Sequence, residues 1–244
     1  FSADHVYFNS QFHLDSFFIG LENFLKQFPD YREIQNIESI RRKSSVLYLG
    51  LDLKILDNYK VKKQSDCIPL ILWNHRWEYD KRPEEFFKIL ELLSYKGVKF
   101  QLAVLGEEFK EELPCFSHAR KKLQKHIVSF GHAKTFDEYA KWLWKADILP
   151  VTSNQDFFGG SIIEAVYCQT TPLLPKRLTY PELFQVDDNP HLFYDDESEL
   201  LEKLMITAQD TTNLRQNHYQ KIVGKFDWSN LVRVYDKELI QLLI

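Results

Sequence analysis

Two pairs of residues in this 244-residue chain have the types and spacing to do chemistry on a phosphorylated ligand. Arg76 and Lys81 stand five residues apart in the run Asn74-His75-Arg76-Trp77-Glu78-Tyr79-Asp80-Lys81. Asp156 and Glu164 stand eight apart in DFFGGSIIE. Arg offers a planar fork of donors and Lys a mobile point charge, so the first pair suits a diphosphate. In the second, Gly159-Gly160 opens a short apolar helix, and bare backbone at a helix N-terminus holds a phosphate or an anionic sugar donor. Glu164 lies among Ile162, Ile163, Ala165 and Val166, where an unpaired carboxylate is costly and a hydroxyl partner such as a ribose is favoured. Taken singly, the two cations read as a solvated loop and Glu164 as a solvent-facing helix residue. Together they read as a nucleotide-sugar site.

The elements that must position these residues alternate between strand and helix. Val6 to Phe8 reads as a short strand, Ser10 to Phe28 as a helix stopped before Pro29, and Val46 to Leu49 as a strand running into Gly50. Residues 30–45 are polar and charged, and 57–66 reads as a linker. A second unit starts with a buried strand over 68–73. A helix follows with Pro83 in its first turn, an apolar face of Phe86, Phe87, Leu90 and Leu93, and Gly97 at its end. Strands at 100–105, 127–130, 147–151 and 171–174 come next. They are interleaved with a helix from Phe136 to Lys145, capped by Thr135 and Glu138, and with the Gly159-Gly160 helix. Helices centred on Leu201, Tyr219 and Val234 finish the chain. This alternation means an α/β fold, a parallel sheet with helices on both faces. Ligands of such sheets sit outside the carboxyl ends of the strands. That rule selects Asn74 to Lys81, Gly106-Glu107, Gly131-His132 and Ser153 to Gly160, four loops on one edge.

Other residues invite plainer readings. His75 and His132 lie in these loops, yet a lone histidine is more often a packing or surface residue. Trp142 and Trp144 have the spacing of core packing, and Lys121-Lys122 and Glu107-Glu108 that of solvated faces. Apolar runs of only a few residues exclude a membrane-spanning helix. Cys67, Cys115 and Cys168 are too few and scattered for a disulfide framework or a zinc site, and a net charge of −4 argues against a general polyanion-binding surface. Phe1 stands first and Met205 is the sole methionine, so the natural sequence is expected to continue upstream.

The chain resembles the C-terminal half of a GT-B glycosyltransferase of the retaining family 4 type. That family places an Arg and a Lys after the first strand, and two acidic residues further on, at the spacings found here. The first acidic position is usually Glu in the family, so Asp156 departs from it by one methylene. The strings FNSQFHLDSF (8–17), LWNHRWEYDKRPEEFFKIL (72–90), DFFGGSIIEAVYCQTTPLLPKRLTYPELF (156–184) and FDWSNL (226–231) resemble the tRNA-queuosine mannosyltransferases, and the likeness spans nearly the whole chain.

The resemblance implies a Rossmann-like donor domain over 68–225, preceded by the end of an N-terminal acceptor domain (1–56) and a linker (57–67), and followed by a C-terminal helix (226–244) crossing back to the N-terminal domain. It implies transfer of mannose from GDP-mannose, with retention, to queuosine in a tRNA anticodon, in the cytoplasm, with no metal and no cofactor beyond the nucleotide-sugar donor. Arg76 and Lys81 would neutralise the leaving diphosphate and Asp156 would face the donor sugar. Glu164 would hold the ribose hydroxyls. Phe158, Gly159, Gly160 and Ser161 would meet the donor through backbone amides, with Gly106, Gly131 and His132 completing the pocket. Charge grows on the leaving phosphate as the glycosidic bond breaks, so prepositioned cations and amide dipoles stabilise the transition state above the ground state. With the N-terminal domain represented only by its end, the chain is expected to bind donor without transferring mannose, and to leave part of the stripe Leu231, Val234, Tyr235, Leu239 and Leu242 exposed. Two other classes fit the same residues: a family 4 transferase with a lipid, glycan or small-molecule acceptor, and a non-catalytic nucleotide-sugar-binding module.

Overall fold

A computed structural model describes residues 2–30, 32–63, 68–106, 113–216 and 219–243. Phe1, Cys67, Glu107, Glu108 and positions 64–66 of the expected linker lie outside the described residues. The chain opens with β1 (Val6–Phe8), α1 (Gln11–Leu25), α2 (Ile37–Arg42) and β2 (Ser44–Val46). The two strands pair in parallel and, with the helices, bury Phe8, Leu14, Phe18 and Ile40. Ser10 caps α1 by accepting from His13 N. The strand expected over 46–49 is instead Ser44–Val46, because β1 is three residues long and offers no partner beyond Phe8. Past that point the backbone joins the other end of the chain, Leu51 N donating to Phe226 O and Trp228 N to Leu51 O.

Part of the stretch read as a linker packs onto the second unit, Tyr59 and Val61 lying against its core. A short 3₁₀ turn spans Lys54–Tyr59, Leu53 and Leu56 are buried, and Trp144 Nε1 donates to Leu56 O at 2.7 Å. The polar residues of that stretch mask a two-leucine anchor just before it.

The main sheet and its helices follow as β3 (Leu70–Trp73), α3 (Pro83–Tyr95), β4 (Gln101–Leu105), α4 (Pro114–Lys122), β5 (Ile127–Gly131), α5 (Phe136–Lys145), β6 (Ile148–Pro150), α6 (Gly160–Tyr167), β7 (Thr171–Pro175), α7 (Tyr180–Leu183), β8 (Phe193–Tyr194), α8 (Glu197–Gln209), α9 (Thr211–Gln216), α10 (Gln220–Val223) and α11 (Trp228–Gln241). All six strands run parallel in the order β5-β4-β3-β6-β7-β8. Leu70 and Leu72 enter one core and Ile71 and Trp73 the other, as a strand buried on both faces requires. The sequence missed α2, α4, α7 and β8, and Tyr219 sits between α9 and α10 rather than at the middle of one helix.

The chain winds outward from β3 to β5, then returns across the sheet to β6 beside β3. This reversal opens a crevice at the carboxyl ends of β3 and β6. At the opposite end, buried Asp147 accepts from Leu70 N at 2.9 Å and from Arg215 at 3.0 and 3.1 Å, with Lys63 Nζ 3.6 Å away. Helix α11 reaches the first unit: Tyr235 donates to Tyr48 O at 2.9 Å and Tyr7 to Glu238 at 3.3 Å. Of its expected stripe, Leu231 is buried while Val234, Leu239 and Leu242 are exposed. Among the described residues, no helix is long and apolar enough to cross a membrane.

Candidate functional site

The loop after β3 is tied to the start of α6. Asn74 Nδ2 donates to Ser161 O at 2.7 Å, and the buried His75 ring sits with Nδ1 3.4 Å from Ser161 Oγ. Burial pushes His75 down to about 4, so its imidazole is neutral near neutral pH. The turn after β4 closes on the same loop. Gly106 has φ +153, and a Cβ there would lie 2.5 Å from His75 O and 2.6 Å from Trp77 Nε1.

The spacing of Arg76 and Lys81 sends their side chains to different places. Lys81 ends a short turn and is 8% exposed. Its ammonium donates to Gln155 O at 2.8 Å and lies 3.2 Å from Asp80 and 3.6 Å from Asp156. Thr152 Oγ1 bonds Lys81 O at 2.8 Å, so the β3 and β6 loops are stitched together at the switch point. Arg76 stays at the surface, paired with Glu78 at 3.0 Å.

Asp156 shapes the glycine loop. Its Oδ1 accepts from Gly159 N at 2.8 Å and its Oδ2 from Tyr180 OH at 3.2 Å. Gly159 caps α6 in the left-handed region, φ 73, where a side chain is strained. The Phe158 ring turns away from the loop into the core, 5.3 Å from Phe226, so only its backbone belongs to the site.

Glu164, one turn into α6, finds a hydroxyl, and that hydroxyl is a tyrosine's. Tyr139 OH donates to Glu164 Oε2 at 2.7 Å. Burial raises the carboxyl while the Tyr139 bond partly offsets the rise. Tyr139 also lines an open cavity of about 370 Å³, together with Asn74, Arg76, Gly106, His132 and Phe136.

The expected residues therefore fall into two adjoining groups. Arg76, Gly106 and His132 face the cavity; Lys81 reaches from the β3 loop to Asp156 and the Gly159, Gly160 and Ser161 start of α6, and Glu164 lies beyond, bonded to Tyr139. Gly131, at φ +125, is not on the cavity wall. Sequence reasoning missed Tyr139 and Tyr180. Tyr139 carries one usable signal, a polar aromatic in the first turns of a capped helix at the carboxyl edge of the sheet.

The first unit closes one side of the loop. Ser10 Oγ donates to Phe157 O at 2.7 Å, and the His13 ring stacks on Phe157 with centroids 4.2 Å apart at 20°.

The family described as tRNA-queuosine alpha-mannosyltransferase N-terminal matches residues 1–51, and the family described as Glycosyl transferases group 1 matches residues 58–222. A tRNA-queuosine alpha-mannosyltransferase of Drosophila melanogaster is 34% identical over 194 residues, 75% of this chain; the chain spans 50% of that relative's length. Among solved structures, HepE of Anabaena in complex with UDP matches with a TM-score of 0.72 at 16% identity, over 98% of this chain and 64% of that one. Sucrose-phosphate synthase from Thermosynechococcus elongatus matches with a TM-score of 0.70 at 16% identity, over 99% of this chain and 59% of that one. These likenesses show a GT-B type fold. With two thirds of its length, residues 58–222, matching that family and its sheet reversing at β3 and β6 as the fold requires, the chain belongs to the glycosyl transferases group 1 family.

Proposed function

We propose that this chain carries the donor site of a retaining mannosyltransferase that moves mannose from GDP-mannose to queuosine in a tRNA anticodon, in the cytoplasm. The observation that carries the donor site is Lys81, held against the Asp156 loop at the switch point with the N-terminus of α6 beside it. A cation and unpaired helix N–H groups at one spot favour the charge that grows on a departing diphosphate.

In this reading the nucleoside occupies the cavity between Arg76, His132 and Phe136, and its ribose shares the Glu164 carboxylate with Tyr139. The diphosphate lies against Lys81 and the Gly160 and Ser161 amides at the N-terminus of α6, with Arg76 swinging off Glu78 to reach it. Asp156 acts by holding the loop, its two oxygens accepting from Gly159 N and Tyr180 OH. The proposed transfer uses no metal ion. Residues 1–56 form the end of an acceptor domain, 57–67 a linker, 68–225 the donor domain, and α11 the return to the acceptor side. The mannosyl donor and the tRNA acceptor rest on the likeness to the Drosophila melanogaster relative and to the N-terminal family.

Calorimetry with GDP, GDP-mannose and UDP tests the donor site. Binding of GDP and GDP-mannose above UDP is expected. Equal or absent binding of all three overturns the assignment. Transfer of labelled mannose to queuosine-containing tRNA by a protein that includes the upstream residues tests the acceptor; transfer to another acceptor alone would replace queuosine in this reading.

A further inference from the structure

Glu182 stands in α7, a single helical turn, and nothing in its sequence surroundings marks it for chemistry. Its carboxylate nevertheless collects three donors from the other end of the chain. Gln11 N–H reaches both oxygens at 2.9 Å, Phe12 N–H reaches one at 3.2 Å, and the Tyr48 hydroxyl reaches the other at 2.9 Å. Glu182 thus occupies the N-terminus of the 15-residue α1, where unpaired N–H groups and the helix dipole favour an anion. The Tyr48 phenol is pushed up to about 12, by burial first and then by this carboxylate.

The same first turn of α1 meets the glycine loop. Ser10, its cap, donates to Phe157 O, and His13 stacks on the Phe157 ring. Phe157 lies between Asp156, whose oxygen holds Gly159 N, and Phe158, whose ring is anchored on Phe226. The loop is therefore clamped from three sides, and the clamp from the first unit depends on where α1 begins.

We propose that Glu182 is a positioning residue for the donor loop: by holding the N-terminus of α1 it sets Ser10 and His13 against Phe157, and so fixes where residues 156–160 present their amides. Its consequence for sugar transfer rests on the donor-site reading above; the coupling itself does not. The carboxylate is specific for this task. Glutamine has one acceptor oxygen, so with donors arriving at both positions its amide N–H₂ must face one of them.

Hydrogen exchange on the unaltered chain and on Glu182→Gln tests the coupling. Amides of 156–162 should exchange about fivefold to tenfold faster in the variant, the scale of one weakened charge-assisted hydrogen bond, while those of β4 keep their rates. His13 supplies a second readout by NMR. Burial holds its pKa below the usual histidine range, so release from Phe157 should raise it. Faster exchange confined to α1, with the loop rates and the His13 titration unmoved, overturns the proposal. Should Glu182→Gln fail to fold, Tyr48→Phe removes one donor and Ser10→Ala cuts the strap beyond Glu182. Loop exchange must rise in both, and unchanged rates in both again overturn it. GDP affinity measured in parallel speaks to the other reading alone: an unaltered chain that binds no GDP removes the donor site, and the exchange data still decide the coupling.

Discussion

Tyr139 and Glu164 satisfy one another, the phenol donating to the carboxylate at 2.7 Å from a helix on the neighbouring crossover. Both groups are shifted upward, chiefly by burial. The carboxylate expected to hold ribose hydroxyls thus has one oxygen, Oε2, engaged by a tyrosine in the folded chain, and a ribose would share the group with that phenol.

The titration of Glu164 follows from this pair. The Tyr139 bond is the one contribution that lowers its raised pKa, so Tyr139→Phe should move Glu164 higher still. Carboxyl chemical shifts recorded against pH check this, and a downward move would mean that the pair is not what stabilises the anion.

Stability should respond to Glu164→Gln with a definite sign. The folded protein keeps the Glu164 proton to a higher pH than the unfolded chain, whose value is near 4.5. Stability is therefore lost as pH rises from there through the raised folded value. Glutamine, which can still accept from Tyr139, removes that loss. The variant should melt no lower than the parent near neutral pH, with the difference shrinking on acidification, and should bind GDP more weakly. A variant that melts well below the parent while binding GDP normally makes Glu164 structural.

Arg76→Ala and Lys81→Ala should each weaken GDP binding by about 1.5 to 3 kcal/mol, the range for a hydrogen bond to a charged group. Only one of them should affect folding. Arg76 is exposed beside Glu78, whereas Lys81 is buried between Asp80 and Asp156, and its removal leaves those carboxylates without their cation. Calorimetry paired with urea melts separates the two effects. Unchanged GDP affinity in both variants removes them from the site.

Two glycines should differ in their intolerance of alanine. At Gly159, φ 73, the left-handed backbone costs roughly 1–2 kcal/mol, and the new Cβ meets the flexible end of Ile162 at 3.2 Å. At Gly106 it would meet a carbonyl oxygen at 2.5 Å and an indole ring at 2.6 Å. Gly106→Ala should therefore lose more stability, with its damage centred on the β3 loop. Equal melting midpoints would contradict this.

Asp147→Asn tests the opposite end of the sheet. Breaking a buried ion pair costs on the order of 3–5 kcal/mol, and Asp147, 2% exposed, serves Leu70 N, Arg215 and Lys63 together. Urea unfolding should show a loss of that order with GDP binding intact below the transition.

The α/β class, most strands, the capped helices and the two spacings were legible in the sequence, because each depends on residues within a few positions of one another. Apolar runs specify buried strands, Thr135 and Glu138 mark a helix start, and Gly159-Gly160 marks another wherever the chain goes. Pairings across the fold were not legible. Tyr139 meets Glu164 across 25 positions and Glu182 meets Gln11 across 171, and no local pattern says which buried acceptor a distant donor will reach. The sheet order decides that. By returning β6 beside β3 it put Lys81 onto the Asp156 loop, turned Phe158 into the core, and left Arg76 in solvent. Residue type and spacing determined what chemistry this chain could hold, and only the packing of one crossover against the next decided which side chains stand together to do it.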